Sequence, residues 1–242
     1  MNAPSAVSPA PDDGAALAAC DAVLFDLDGT LADTAPDLAA AVNLMRHTRG
    51  LAPAPLDRLR PLASAGARGL LGAAFGVGPD DPEFAAMREE FLANYEANLR
   101  VDTVLFPGID ALLDDLDARG VRWGIVTNKV ARLTAPLVAL LGLDRRAACV
   151  VSGDTTPYSK PHPAPLLHAA DALGVDAPRI VYVGDDLRDI QAGHAAGMAT
   201  IAAGYGYCGN DLPPLHWNAH HVADTTDALL ALLRRVGATS RG

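Results

Sequence analysis

The sequence predicts an α/β fold: a mostly parallel sheet with helices on both faces, and a helical insert after the first strand. Three observations predict it. Short apolar runs alternate with amphipathic helical patterns from residue 109 onward, as expected of strands buried on both faces. Half of the 242 residues are hydrophobic, enough for one large core and a smaller insert. Between the first strand and the second lies a gap of about 95 residues with helical patterns and no convincing strand, too long for a simple crossover.

Taken in order, residues 1–18 are rich in Ala, Pro, Ser and Asp and read as a disordered segment. The first basic residue is Arg46, so neither a secretory signal nor a membrane span is expected. The first strand is 22–25, Ala22-Val23-Leu24-Phe25. The insert is assigned to 33–103, with helices over 36–47, 56–62, 67–75 and 83–98. The core comprises 19–32 and 104–242. A helix over 109–119 places Leu112, Leu113 and Leu116 on one face. Strand 121–126 follows, then helix 132–141, whose first turn Pro136 should limit. The alternation continues with strand 148–151, helix 163–173, strand 180–183, helix 187–196 and strand 198–202. A short strand over 221–223 and a helix over 226–235 close the domain. The insert would sit over the carboxyl ends of the strands, where open sheets bind ligands.

Charge narrows the partners. A formal net charge of -10 argues against nucleic acid or an anionic membrane. A small anionic substrate remains open, because local cations decide its binding. Cys20, Cys149 and Cys208 have no metal-ligand spacing and offer no disulfide framework. The chain reads as cytoplasmic, a monomer or homodimer. Only Lys129 and Lys160 are lysines in an Arg-rich chain, so their positions draw attention.

Four groups of polar residues fall at strand ends. Asp26 and Asp28 follow the first strand, Thr127-Asn128-Lys129 the second, and Ser159-Lys160-Pro161 comes after the third. Gly184-Asp185-Asp186 follows the fourth, with Asp189 one helical turn beyond Asp185. Two buried carboxylates two residues apart cost desolvation and mutual repulsion, which a metal or a cation must offset. Each group alone has a plain reading, as an acidic turn, a strand-end cap or a loop lysine. Together they suit phosphoryl transfer through a covalent aspartyl phosphate. Asp26 is the expected nucleophile. Asp28 protonates the leaving alcohol and then deprotonates water. Asp26 and Asp185 would hold Mg²⁺ through carboxylate oxygens and Asp28 through its backbone carbonyl, with Mn²⁺ a substitute. Thr127 offers donors to the phosphoryl oxygens, and Lys160 neutralises nucleophile and phosphate. Gly29 permits a tight turn and close backbone approach. Asp186 is an alternative metal ligand, an outer orienting group or a helix N-cap. Asp189 serves either helix electrostatics or the orientation of Lys160.

This pattern resembles the haloacid dehalogenase superfamily of phosphatases. Asp26-Leu27-Asp28-Gly29-Thr30-Leu31-Ala32-Asp33-Thr34 resembles its first motif, Thr127-Asn128-Lys129 the second, Lys160-Pro161 with Pro163 the third, and Gly184-Asp185-Asp186 with Asp189 the fourth. The resemblance implies a Rossmann-like sheet with an α-helical cap inserted after the first motif. It also implies a phosphatase or mutase, because the dehalogenase branch lacks the second Asp. Phe106-Pro107-Gly108, Ser64-Ala65-Gly66-Ala67-Arg68 and the run from Gly184 to Gly193 resemble phosphoglycolate phosphatases. The Arg60 to Arg68 pattern, Gly204-Tyr205-Gly206-Tyr207 and Trp217 resemble phosphatases of N-acetylmuramic acid 6-phosphate. The leading expectation is Mg²⁺-dependent hydrolysis of 2-phosphoglycolate. The alternatives are the amino-sugar phosphatase, a phosphomutase and a non-catalytic phosphate-binding module. Expected substrate contacts are Gly29, Thr34, Ser64, Arg68 and Asn128. Arg68 either clamps a substrate carboxylate or is an exposed helix arginine.

Overall fold

The computed structural model describes residues 17–237. In chain order its strands are β1 Ala22–Phe25, β2 Ala32–Asp33, β3 Val104–Leu105, β4 Arg122–Val126, β5 Val150–Val151, β6 Ile180–Gly184, β7 Ala199–Ala203 and β8 His221–Ala223. Six of them form one parallel sheet in the order β5-β4-β1-β6-β7-β8. Along β1 the side chains alternate between faces. Val23 and Phe25 join a core with Leu112, Leu113 and Leu116 of helix Ile109–Arg119 and Leu133 and Leu137 of helix Ala131–Leu140. Ala22 and Leu24 pack on the opposite face with Leu166 and Leu173 of helix Ala164–Leu173. Helices on both faces bury every residue of β1, and the strand accordingly reads as a continuous apolar run.

The insert contains helices Ala35–Thr48, Leu56–Leu59, Gly66–Phe75 and Phe84–Ala97. The expected helix over 56–62 stops early and continues as a 3-10 segment, Arg60–Ala65. Pro61 lies in its first turn, where a missing N–H is tolerated. The gap also holds two short strands that periodicity did not reveal. β2 pairs antiparallel with β3, Ala32 opposite Leu105. Two residues per strand are too few for an alternation pattern to register. Pro136 lies well inside its helix, on the exposed face, rather than limiting the first turn. β5 is shorter than the expected 148–151; it is an edge strand, paired to β4 alone. Most of the segment expected to be disordered lies outside the described residues; Leu17, near its end, is buried. Cys20, Cys149 and Cys208 are free thiols. Among the described residues no helix is long and apolar enough to cross a membrane.

Both chain crossings between core and insert are tied down. Thr34 and Ala35, on the way out, donate their backbone N–H groups to the Tyr207 hydroxyl at 2.7 and 2.8 Å. On the way back, the buried Asp37 carboxylate accepts the N–H groups of Val101, Asp102 and Thr103 and the Thr103 hydroxyl, at 2.6–3.0 Å. Hydrogen bonds to a charged acceptor are the stronger kind. Asp37→Ala leaves those donors unpaired, and denaturant unfolding should show a loss of about 2–4 kcal/mol. A loss too small to resolve would mean the returning linker does not depend on this carboxylate.

Candidate active site

The strand ends assemble the site. Asp26 continues the ladder past β1, its N–H bonded to Val183 O at 2.9 Å, and Thr127 does the same past β4, bonded to Val151 O. Adjacent parallel strands therefore deliver residues about a hundred positions apart to one place. Lys160 enters from the loop after β5. Its Nζ lies 3.0 Å from Asp26 Oδ1 and 2.7 Å from Asp189 Oδ1, and donates to Val126 O and the Tyr182 hydroxyl. The ammonium side chain is 2% exposed.

Asp185 is fully buried beside this pair. It accepts the Thr30 and Ser64 hydroxyls at 3.0 and 2.8 Å and the Tyr207 N–H at 3.0 Å. Gly29 and Gly206 make room for it. Gly29 has φ 87°, and a Cβ there would strike the Asp185 carboxylate. A Cβ at Gly206 would strike both Asp185 and the Gly29 carbonyl. Backbone wraps the carboxylate closely on two sides.

Asp26, Asp185 and Asp189 each bring an oxygen within 4.8 Å of the others. Burial pushes the Asp26 carboxyl up to about 7; Lys160 pulls it back, while Asp189 and Asp28 push it further. Burial, then the charges of Asp26 and Asp189, raise Asp185 well above the carboxylate range. Burial works against the charge on Lys160, but Asp189 and Asp26 outweigh it and the ammonium is held above its usual value. One ammonium thus faces a group of carboxylates that repel each other, a donor set suited to a hard divalent cation. Asp189 has both oxygens engaged, Oδ1 with Lys160 and Tyr182 and Oδ2 with the Asp186 N–H. Among the described residues Asp185 meets only neutral donors, and Asp26 keeps Oδ2 without a hydrogen bond, so these two are the carboxylates best able to accept an ion.

Several expected residues take other partners. Asp186 caps helix Leu187–Ala195, accepting the Arg188 N–H at 2.9 Å, and its carboxylate forms a two-pronged pair with the Arg188 guanidinium. Burial alone would raise Asp186, but Arg188 brings it below its usual value. Of the readings open for Asp186, the N-cap is the one its contacts match. Asn128 uses both ends of its amide on the Lys160 backbone, at 2.9 and 3.0 Å; it braces the lysine loop. Thr34 is buried, with its hydroxyl 2.6 Å from Asp28 Oδ1. Ser64 bridges from the insert to Asp185, and Arg188 donates to the Ser64 carbonyl. Arg68 is exposed at the wall of the adjoining cavity. Sequence reasoning gave no role to Lys129, whose Nζ sits 3.0 Å from Asp28 Oδ1; its rarity was the available signal. Tyr207, which the sequence marks only through a resemblance, holds the outgoing crossing with its hydroxyl.

A cavity of about 280 Å³ opens from Asp26 and Asp28 beneath the insert. Thr127, Lys129, Ser64 and Arg68 line its polar side, and Leu38, Phe84, Phe91 and Leu92 its apolar wall.

Residues 23–203 match the model of the family described as haloacid dehalogenase-like hydrolase. An N-acetylmuramic acid 6-phosphate phosphatase of Pseudomonas aeruginosa is 43% identical over 214 residues, 88% of this chain and 95% of that protein. A phosphoglycolate phosphatase of Xanthomonas campestris is 49% identical over 198 residues, 82% and 89% of the two chains. The crystal structure of a predicted phosphoglycolate phosphatase from Haemophilus somnus superposes with a TM-score of 0.78 at 28% identity, covering 88% of this chain and 98% of that one.

The raised carboxyls link stability to pH. In metal-free protein the contribution of Asp26 is present below about pH 4 and lost as the pH rises through about 7. A divalent cation held by these carboxylates would offset that loss. Thermal unfolding with and without Mg²⁺ should therefore show a larger stabilising shift at about pH 7.5 than at about pH 5. Equal shifts would mean the ion does not bind these carboxylates.

Proposed function

This chain belongs to the haloacid dehalogenase-like hydrolases and is a phosphoric monoester hydrolase, and from that premise we propose that it works through a phosphorylated Asp26. The observation that carries the reading is the buried Lys160 ammonium 3.0 Å from Asp26, a carboxylate that itself lines the capped cavity. Asp26 Oδ1 is held by Lys160 and by the Leu27 N–H at 2.7 Å, leaving Oδ2 to attack phosphorus. The Asp26 and Asp185 carboxylates and the Asp28 backbone carbonyl would hold Mg²⁺, or Mn²⁺ in its place. When bound, the ion supplies positive charge that lets one anion approach another and steadies the transferring phosphoryl group. Thr127 Oγ1 accepts the Lys129 N–H at 3.2 Å, so its own proton is available to a phosphoryl oxygen. Lys160 neutralises charge on Asp26 and on the incoming group.

In the first half-reaction the P–O(ester) bond breaks as the Asp26–phosphorus bond forms, and Asp28 gives its proton to the leaving alkoxide. In the second, water attacks phosphorus, Asp28 takes the water's proton, and orthophosphate leaves with Asp26 restored. The insert excludes bulk water from both steps.

The leaving group occupies the cavity beneath the insert. Glycolate and the lactyl ether of muramic acid both carry a carboxylate that the fork of Arg68 could clamp, so this residue does not separate the two relatives' substrates. Cavity size does. About 280 Å³ with an aromatic wall approaches the volumes that bury drug-sized ligands and exceeds the needs of a two-carbon acid. The geometry supports N-acetylmuramic acid 6-phosphate best. 2-Phosphoglycolate is the second reading, favoured by the 49% identity to the Xanthomonas protein.

With Mg²⁺ present, kcat/KM for the amino-sugar phosphate should exceed that for 2-phosphoglycolate by about tenfold or more, the scale of a few buried contacts. The reverse preference would place the enzyme in glycolate salvage. Asp26→Asn keeps the side-chain volume and removes the nucleophile. Orthophosphate release should fall by about a thousandfold or more with the circular dichroism spectrum unchanged, and near-normal turnover would reject Asp26 as the nucleophile.

A further inference from the structure

Asp28 is gripped by one oxygen. Its Oδ1 accepts the Thr34 hydroxyl at 2.6 Å and pairs with Lys129 Nζ at 3.0 Å. Among the described residues nothing hydrogen-bonds Oδ2, and Asp28 lines the cavity. The carboxylate is therefore turned, with one oxygen fixed and the other left for the reacting proton.

Lys129 is itself held from the insert. Its Nζ donates to the Tyr95 hydroxyl at 3.2 Å and lies 4.4 Å from the centre of the Tyr95 ring. The lysine side chain is 7% exposed, and Tyr95 is fully buried. Tyr95 belongs to helix Phe84–Ala97 of the insert, whereas Lys129 follows β4 of the core. The ring stacks on Phe91 of the same helix, with centroids 6.4 Å apart, which fixes its plane. An ammonium over an aromatic face gains from the ring quadrupole, more so when desolvated. The residue type fits the place. This chain uses Arg almost everywhere, but a planar guanidinium presents its donors in a rigid fork, whereas a compact ammonium can meet a ring and a carboxylate together.

We propose that Lys129 is a positioning residue: clasped by Tyr95 of the insert, it orients Asp28 of the core for proton transfer. The proposal rests on the acid–base role given to Asp28 above. Its consequence is that a residue of the insert takes part in placing the proton donor of the core.

The test uses the full chain with Mg²⁺ and a series of phosphate monoesters, from an activated nitrophenyl ester to alkyl esters. kcat/KM reports the step in which the alcohol departs, so a proton donor matters most for the poorest leaving group. Lys129→Met keeps the stem and removes the charge. It should lower kcat/KM about 10- to 100-fold for alkyl esters and less than about threefold for the nitrophenyl ester. Tyr95→Phe keeps the ring over the ammonium and removes the hydroxyl. It should shift the same ratio in the same direction by about threefold, and it carries the test if the Lys129 variant does not fold. Equal losses across the series, or none, would overturn the positioning role. Asp28→Asn is measured alongside. If it shows the leaving-group dependence and the Lys129 and Tyr95 variants do not, the clasp is rejected and the role of Asp28 stands. If Asp28→Asn shows none either, the acid–base reading beneath the proposal fails with it.

Discussion

Asp26, Asp185 and Asp189 lie buried together at the carboxyl ends of β1 and β6, and Lys160 pairs with two of them. Charges so close together out of water repel and lose hydration, and much of the surrounding structure answers to that constraint. The Asn128 amide clips the Lys160 backbone so that the ammonium reaches inward. Tyr182 and the Val126 carbonyl take the donors that the carboxylates do not. Gly29 and Gly206 let two backbone segments close around Asp185 where any side chain would collide. A parallel sheet provides the frame, because its strands all end on the same side. The remaining imbalance is what a divalent cation would offset.

A second set of contacts joins the insert to this centre. Ser64 reaches from the insert to Asp185, and Arg188 reaches from the core to the Ser64 carbonyl while paired with Asp186. Tyr207 connects the two regions in another way: its N–H serves Asp185 and its hydroxyl takes the N–H groups of Thr34 and Ala35 at the outgoing crossing. The same residue thereby touches both the buried Asp185 carboxylate and the outgoing crossing. Position of the insert and geometry of the carboxylates are coupled through short, named hydrogen bonds.

Much of this was legible in the sequence, for physical reasons. Strands buried on both faces appear as largely apolar runs, so β1, β4, β6 and β7 stand out, and Asp26, Thr127 and Asp185 at the ends of β1, β4 and β6, with Lys160 in the loop after β5, suggest one site. Features that depend on geometry rather than pattern were hidden. β2 and β3 are two residues each and carry no period. Asn128 and Thr34 are polar residues beside the site, and nothing in their spacing says that the first holds a loop and the second a carboxylate. Asp186 and Asp189 sit three residues apart at a helix start, a spacing equally suited to a cap and to a ligand pair; only the contacts with Arg188 and Lys160 separate those roles. The volume of the cavity depends on how the insert packs, which composition does not encode.

The proposed chemistry has Asp26 take the phosphoryl group while Lys160 and a divalent ion screen it. The most direct measurement is to mix the enzyme with Mg²⁺ and a phosphate monoester, quench in acid within the first turnover, and locate the phosphoryl group by peptide mass spectrometry. A transient phosphoryl increment should appear on Asp26 and decay as orthophosphate is released. Orthophosphate released in that first turnover with no phosphorylated aspartate, or with the label on Asp28, would contradict it.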